Sequence, residues 1–139
     1  MLRICISVAT LAMISTAAFA QDFTTAAEVK PILDATKPQW IAVREFDGKD
    51  LLYFTNLLAW RCGVAKIRYG LNGEAPATVF AMEACHEGTA QPNALLMANG
   101  ELLYVTHDLG SVQTVSVEVE FDDNTKATAE YARAAILTP

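Results

Sequence analysis

Cysteine and histidine side chains carry the most reactive chemistry in this sequence, and they are few. The 139-residue chain contains three cysteines (Cys5, Cys62 and Cys85) and two histidines (His86 and His107). Cys85 and His86 are adjacent, and neighbouring residues on a strand point to opposite faces, which disfavours a cysteine–histidine catalytic pair. The sequence also lacks the G-x-S-x-G motif that marks a serine nucleophile. We therefore predict no catalytic residue and expect that the protein is not an enzyme.

A loose cluster of soft ligands leaves one alternative open, a periplasmic copper-binding or electron-transfer domain. Thioether, thiolate and imidazole groups suit copper, and the candidate ligands are Met82, Cys85, His86, Met97 and His107. Their spacing matches no established copper motif, and the sequence has no paired C-x-x-C or H-x-x-x-H for zinc. We predict no cofactor and keep the copper site as an alternative.

Carboxylates near predicted loops leave a second alternative, a small hydrolase. Two carboxyl groups held at a suitable separation in a cleft can perform acid–base catalysis; the candidates are Glu45, Asp47, Glu83, Glu87, Glu101 and Asp108. A further acidic run, Asp122-Asp123-Asn124, lacks the ligand spacing of an EF-hand calcium loop. We interpret that run as a turn.

The first twenty residues have the pattern of a secretory signal peptide. Arg3 precedes an apolar run from Ile4 to Ile14, and Ala18-Phe19-Ala20 resembles a cleavage site. The apolar run is too short to cross a hydrocarbon layer of about 30 Å. We therefore predict a signal peptide at residues 1–20 and an exported mature domain at 21–139, periplasmic or secreted, with no membrane anchor after cleavage.

Cleavage would leave an even pair of cysteines. It removes Cys5, and Cys62 and Cys85 remain. An even pair in an exported chain predicts a disulfide, because the compartment is oxidising. In the chain-entropy model, closing a loop of about 24 residues contributes roughly 3 kcal/mol to stability.

The charge of the chain excludes one class of partner. The precursor has 10 Lys+Arg and 16 Asp+Glu, and losing Arg3 leaves 9 and 16, so the formal net charge changes from −6 to −7. Nucleic acids and anionic membranes are bound through clustered lysine and arginine, and this sequence has no basic cluster. We predict no nucleic-acid partner, which leaves a protein or a small-molecule ligand.

The hydrophobic pattern predicts one helix followed by short strands. Thr25-Ala26-Ala27-Glu28 fits a capping box, and a helix is predicted over about 25–37. From Trp40 the apolar period changes to two, and Asp47-Gly48, Asn72-Gly73 and Asn99-Gly100 have the composition of hairpin turns. Strands are predicted over 40–46, 51–60, 64–69, 78–83, 95–98, 101–106, 114–121 and 126–133. Such spacing is typical of an all-β, mostly antiparallel sandwich.

One segment resembles a known architecture. From Val112 to Thr128, alternating valines lead into an acidic turn and a returning strand. This pattern resembles the last two strands of an immunoglobulin-like sandwich. The resemblance implies an immunoglobulin-like β-sandwich with one N-terminal helix, in a single domain, and it implies no functional residue.

Aromatic residues in the first strands suggest a binding face. If alternation holds through 51–60, Tyr53 and Phe54 point to opposite faces and one of them is exposed. An exposed aromatic side chain beside an arginine resembles a protein-binding hot spot, and the candidate arginines are Arg44, Arg61 and Arg68. We therefore predict a noncatalytic binding or accessory module that recognises a protein or a small molecule through one sheet face.

Overall fold

In the residues that the structure describes, the protein is mostly β-sheet, with one helix at the N-terminal end. The computed structural model describes Ser15 and residues 21–139, so the predicted signal peptide lies outside the described residues except for Ser15. Within this described part, eight strands form two four-stranded sheets. None of the helices described there is long and apolar enough to cross a membrane.

The elements follow one another in chain order. The helices are α1 (Ala26–Ala35), α2 (Thr55–Leu58) and α3 (Arg133–Ile136), with 3₁₀ turns at Lys37–Gln39 and Arg61–Gly63. The strands are β1 (Ala42–Phe46), β2 (Lys49–Tyr53), β3 (Val64–Leu71), β4 (Thr78–Phe80), β5 (Tyr104–Asp108), β6 (Thr114–Phe121), β7 (Lys126–Ala132) and β8 (Leu137–Thr138). The first sheet has the order β5-β2-β1-β8 and is mixed, because β8 runs parallel to β1. The second has the order β4-β3-β6-β7 and is antiparallel.

Helix α1 begins as its sequence predicts. The Thr25 hydroxyl accepts the backbone N–H of Glu28, and the Glu28 carboxylate accepts the N–H of Thr25 at 3.1 Å, which completes the capping box. Pro31 lies inside the helix, so the helix runs through it. Near the C-terminal end, the buried Trp40 indole N–H donates to the Leu33 carbonyl at 2.8 Å. This bond satisfies a carbonyl that the helix end leaves without a partner.

The Asp47-Gly48 dipeptide makes the predicted hairpin turn between β1 and β2. Both residues have positive φ, 51° and 70°, as a type I′ turn requires. The flanking residues Phe46 and Lys49 are paired across the hairpin. The turn thereby fixes which side chains of β1 and β2 share a face.

The predicted strand over 51–60 is wrong beyond Tyr53. The chain leaves the sheet there and forms α2, and Phe54, Leu57 and Leu58 are all buried in the core. Spacings of three and four residues place side chains on one side of a helix, whereas residues 57 and 58 would point to opposite faces of a strand.

The predicted hairpin around Asn99-Gly100 is also wrong. Residues 95–98 form no strand, and β5 begins only at Tyr104. The turn itself exists, since Gly100 has a φ of 78°. The backbone N–H groups of Leu96 and Met97, which a hairpin could use, donate to the carboxylate of Glu83 instead. The strand predicted over 78–83 likewise ends early, at Phe80.

The second sheet follows its predicted alternation with one exception. In β6 the valines at 115, 117 and 119 and Phe121 are buried, as predicted. In β3 the register shifts between Val64 and Lys66, the signature of a β-bulge. The shift leaves Ala65 exposed, although strict alternation would place it on the buried face with Ile67 and Tyr69.

Side chains from both sheets and α1 meet in one hydrophobic core. Its fully buried members include, from α1, Val29 and Leu33; from the first sheet, Val43 and Leu52; and from the second sheet, Ile67, Val117 and Val119. The sheets and the helix therefore form one packing unit.

A buried ion pair joins the first sheet to α3. Asp50 is fully buried and accepts two hydrogen bonds from Arg133, at 2.6 and 3.0 Å, and one from the N–H of Val112 at 3.1 Å. Arg133 also donates to Glu45 at 2.7 Å. The hydrogen bonds from Arg133 lower the pKa of Asp50 to about 2, against the opposing effect of burial.

The first prediction concerns this pair. The pKa of Asp50 is lower in the folded protein than in the unfolded chain, so its contribution to stability is complete above about pH 5 and is lost as the pH falls toward 2. The size of this contribution is about 2 kcal/mol. Asp50→Asn removes the buried carboxylate beside Arg133 and leaves that charge with the exposed Glu45 alone, so it should lower the free energy of unfolding by about 2–3 kcal/mol. Urea denaturation between pH 2 and pH 7 measures both effects.

The control is Asp34→Asn, which removes an exposed carboxylate from α1. We expect a change within about 0.5 kcal/mol and an unaltered acid dependence. If the stability of the wild type and that of Asp50→Asn depended on pH in the same way, the role assigned to Asp50 would be wrong.

Candidate functional site

The two cysteines of the predicted mature chain form a disulfide. Cys62 and Cys85 are joined with an S–S distance of 2.05 Å and a Cα–Cα distance of 4.9 Å. The predicted pairing is confirmed. Cys85 therefore has no free thiolate with which to bind a metal or attack a substrate, and disulfides are typical of proteins that fold in an oxidising compartment.

Arg61, one of the predicted binding residues, is buried beside the disulfide and serves the fold. Arg61 is 2% exposed, and its guanidinium donates hydrogen bonds to five backbone carbonyls at 2.7–3.3 Å. These carbonyls belong to Leu58, Glu83, Ala84, Asn93 and Ala94. Burial lowers the pKa of Arg61, and the nearby charge of Glu83 opposes that shift. Arg61 is thus a structural residue and takes no part in an exposed surface.

Glu83 supports the same region with its side chain. Its buried carboxylate accepts the N–H groups of Leu96 and Met97 and lies 2.9 Å from His86 Nε2. Burial alone raises the pKa of Glu83, but these hydrogen bonds and the Arg61 charge outweigh it and hold the pKa below its usual value. The carboxylate is therefore committed to holding the loop backbone.

The candidate metal ligands do not converge. Cys85 is in the disulfide, His86 contacts Glu83, Met97 is 43% exposed in the loop, and Met82 packs against the core. His107 lies on β5, in register with Asp50. In the part of the chain that the structure describes, no group of three or more His, Cys, Asp or Glu side chains is arranged to hold a metal ion.

Most of the candidate acid–base carboxylates have structural partners. Glu45 bonds Arg133, Asp108 bonds Lys49 at 2.9 Å, and Glu101 accepts hydrogen bonds from Asn99 within its own turn. Glu83 holds the loop as described above. Asp47 and Glu87 remain as exposed loop residues.

The acidic run at 122–124 acts as a turn with specific partners. Asp122 accepts the N–H of Ala26 at 2.9 Å, which ties the turn to the start of α1. Asp123 accepts hydrogen bonds from Lys30 and Thr125. The Lys30 bond is the main reason that the pKa of Asp123 is lowered to about 2.

The five residues of the predicted binding face lie in separate places. Phe54 is fully buried and packs on Phe80, with ring centroids 4.3 Å apart. Arg68 lies on the second sheet and bonds two glutamates of β6, each at 2.8 Å. Since Arg61 is buried as well, only Arg44 and Tyr53 remain together on an accessible surface.

Arg44 and Tyr53 belong to an aromatic face on the outer side of the first sheet. Alternation and register place Arg44, Phe46, Tyr53 and Tyr104 on the side opposite the core residues Val43 and Leu52. We call these four residues the aromatic face. Tyr53 and Tyr104 contact each other with centroids 5.0 Å apart, and the Arg44 guanidinium lies 4.9 Å from the Phe46 ring centroid. Phe46 is 55% exposed, and both tyrosines are partly exposed.

In the described part of the chain, one depression adjoins the aromatic face and another lies beside α1. One, of about 310 Å³, lies at one end of the aromatic face and is lined in part by Arg44, Tyr53 and Asn56. The other, of about 450 Å³, lies between α1 and the β6–β7 hairpin, and we call it the α1–β7 cleft. Its lining includes Lys37, whose ammonium is 5.5 Å from the Trp40 ring centroid.

Sequence reasoning missed two members of the aromatic face. Phe46 could have been found, because Arg44 and Phe46 are two residues apart just before the predicted turn and therefore share a face. Tyr104 could not, because its place beside Tyr53 depends on the pairing of β2 with β5, which α2, β3 and β4 separate in the chain. The α1–β7 cleft has no local sequence signal.

Comparison of the chain with protein-family models, with curated proteins and with solved structures found no match.

The second prediction concerns Arg61. Arg61→Met keeps an apolar stem of similar reach but leaves five carbonyls without their donor, at a cost of about 1–3 kcal/mol for each one that stays buried. We expect the free energy of unfolding to fall by roughly 3 kcal/mol or more. The amides of Leu96 and Met97 should also exchange hydrogen faster in native conditions. Urea denaturation and hydrogen exchange, both without reductant, measure these effects.

The matched control is Arg68→Met, which removes an arginine from the outer face of the second sheet. Its ion pairs are partly solvated, and such pairs contribute about 1 kcal/mol or less. If both variants lost similar stability, or if the amides of Leu96 and Met97 stayed protected in Arg61→Met, the hydrogen bonds of Arg61 would not hold the loop between β4 and β5.

Proposed function

We propose that the protein is a noncatalytic, exported binding module whose aromatic face contacts a protein partner. The observation that carries the proposal is the grouping of Phe46, Tyr53 and Tyr104 with Arg44 on one accessible sheet surface. Tyrosine, phenylalanine and arginine are enriched at protein interfaces, and tyrosine and arginine dominate interface hot spots.

The chemistry of the face suggests the chemistry of the partner. Arg44 is exposed and has no carboxylate within ion-pair distance among the described residues, while Lys49 at the edge of the face is neutralised by Asp108. Among the described residues, the face is therefore apolar with one cation, Arg44, that no carboxylate neutralises. It suits a protein surface that presents an apolar side chain beside an aspartate or glutamate.

The fold expected for such a module is a β-sandwich. The common core of the two sheets supports that proposal, because sheets that share a core through facing side chains are the basis of sandwich architecture. The immunoglobulin-like order of strands stays a prediction. Export, which the disulfide supports, gives such a module access to periplasmic or extracellular partners.

The copper and hydrolase alternatives have less support. A copper site would need the sulfur that Cys85 contributes to the disulfide, and four of the six candidate carboxylates bond groups of the fold. Neither alternative has a set of side chains that converges on one accessible point in the described part of the chain.

A second candidate function is the binding of a small amphipathic anion in the α1–β7 cleft. The observation in its favour is the Lys37 ammonium, which lies beside the Trp40 ring in this cleft of about 450 Å³. Lys30 contributes less, because Asp123 already neutralises it. Ligand sites of about 300–1,000 Å³ with apolar walls and few polar groups are common.

The third prediction tests the aromatic face. A photoreactive benzoylphenylalanine in place of Phe46 or Tyr104 should crosslink to a partner protein in the organism that makes this protein, because it would lie within the interface. The matched control is the same probe at Val79, an apolar residue of β4 that is also 55% exposed. Mass spectrometry identifies the adducts.

The expected result is one specific adduct from positions 46 and 104, and none from position 79. Arg44→Ser in the same background should reduce its yield. The proposal is wrong if position 79 gives the same adducts or if positions 46 and 104 give none.

The fourth prediction tests the cleft with 8-anilinonaphthalene-1-sulfonate, an aromatic anion that fluoresces in apolar surroundings. The wild type should bind it, and Lys37→Met should weaken binding about tenfold or more, since a hydrogen bond or ion pair to a charged group contributes about 1.5–3 kcal/mol. Ala127→Phe should block the cleft, because Ala127 lines it.

The control for the cleft is Lys66→Met, which removes an exposed lysine from β3. Unchanged binding in Lys37→Met and Ala127→Phe would exclude the cleft as the site. This result would not bear on the proposal for the aromatic face, because the two surfaces are tested with different probes.

A further inference from the structure

Strand β7 is the longest of the four edge strands. It has seven residues, whereas β4 has three, β5 has five and β8 has two. Its pairing with β6 runs without a register shift, and it contains no proline. Within residues 21–139, no strand pairs with its outer side. An edge of this length without a bulge or a proline is a template for pairing with another strand.

The hydrogen bonds of the β6–β7 hairpin show which backbone groups of β7 face outward. The N–H of Phe121 donates to Thr125 at 2.8 Å, and the N–H of Arg133 donates to Gln113 at 2.8 Å. These two pairs lie in the same register as the rest of the ladder. Opposite residues in an antiparallel pair alternate between bonded and non-bonded. The odd-numbered residues of β7 therefore bond β6, and the even-numbered residues present their N–H and C=O groups at the free edge.

The even-numbered residues also carry the charges of β7. Lys126, Thr128 and Glu130 are exposed on the outer face of the sheet. Lys126 and Glu130 lie at equal distances along the strand from Thr128, and their side chains carry opposite charges. An antiparallel copy of β7 centred on Thr128 would therefore set Lys126 against Glu130 of the other copy, twice, while Thr128 faces its own equivalent.

Other registers lose this match. The outward backbone groups can pair only in steps of two residues. Moving the second copy by two residues in one direction sets Lys126 against Thr128 of that copy. Moving it by two residues in the other direction sets Lys126 against Ala132. Only the arrangement centred on Thr128 joins opposite charges, and it does so at both ends. In that arrangement three bonded pairs supply about six backbone hydrogen bonds.

We propose that the free edge of β7 pairs with the β7 edge of a second copy of this chain, in the antiparallel register centred on Thr128. The second sheet of one copy and the second sheet of the other then form one continuous antiparallel sheet across a two-fold axis. Such an isologous contact uses the same residues on both copies and closes on itself. The aromatic face lies on the other sheet, so this inference does not depend on the proposed function.

A charge-swap experiment tests this register. Lys126→Glu places glutamate against Glu130 at both ends of the pairing, and Glu130→Lys places lysine against Lys126. Each variant alone should dissociate at least about tenfold more readily than the wild type, since like charges directly opposite are destabilising. An equimolar mixture should recover the dimer, because every contact then joins a lysine and a glutamate.

The measurement is sedimentation equilibrium of the full chain, expressed for export so that the disulfide forms. Thr128→Pro removes the central outward N–H without breaking a bond to β6 and should also give monomers. Thr128→Val keeps that N–H and should remain dimeric. Near-ultraviolet circular dichroism confirms that each variant is folded.

The inference is wrong if the wild type is monomeric at millimolar concentration. It is also wrong if the wild type is dimeric but the single charge variants and Thr128→Pro remain as dimeric, because the contact would then lie elsewhere. Failure of the mixed variants to recover the dimer would exclude this register. None of these results bears on crosslinking at Phe46, so the two proposals fail separately.

Discussion

The buried charge of Arg61 is the constraint on which the rest of the structure depends. Removing a cation from water costs several kcal/mol unless its hydrogen-bonding groups are satisfied. Arg61 has five N–H donors, and each finds a carbonyl. Most of these carbonyls belong to the segment between β4 and β5, which has almost no regular secondary structure. The guanidinium thus replaces the strand partners that this backbone lacks, and Glu83 does the same for the N–H groups of the same segment.

The 3₁₀ turn at Arg61–Gly63 connects this loop to the N-terminal part of the domain. The Cys62 N–H donates to the Asn93 side chain at 2.9 Å, and that side chain donates to the Phe23 carbonyl at 2.9 Å. At Gly63 a side chain cannot fit, because a Cβ atom would lie 2.7 Å from the Thr25 carbonyl oxygen. Helix α1 therefore rests directly on the backbone of the turn. The disulfide holds the neighbouring residue, so loop, turn and helix are fixed at one point.

Local patterns predicted the elements that depend on local interactions. The capping box of α1, the turn at Asp47-Gly48 and the alternation of β6 each involve residues close in sequence, and all three are confirmed. The disulfide followed from counting cysteines. The errors at 51–60 and 95–106 have a different origin. At 51–60 the spacing of Phe54, Leu57 and Leu58 fits the helix, but packing against the core decides between helix and strand. At 95–106 the conformation depends on the side chains of Arg61 and Glu83, and no spacing within that segment records those contacts. The same limit applies to Tyr104 of the aromatic face, because α2, β3 and β4 separate its strand β5 from β2 in the chain.

The aromatic face is the part of the first sheet that folding does not explain. On the inner face, Val43 and Leu52 are fully buried and contribute to the core. On the outer face, Phe46 remains 55% exposed, and apolar surface left in water contributes nothing to burial. A polar residue there would preserve both the hairpin turn and the register, which Asp47-Gly48 determines. Single exposed apolar residues are common, but here Phe46 lies with two tyrosines and an arginine that the core does not use. The exposure of this combination on one sheet surface is the reason that we propose a contact with another molecule.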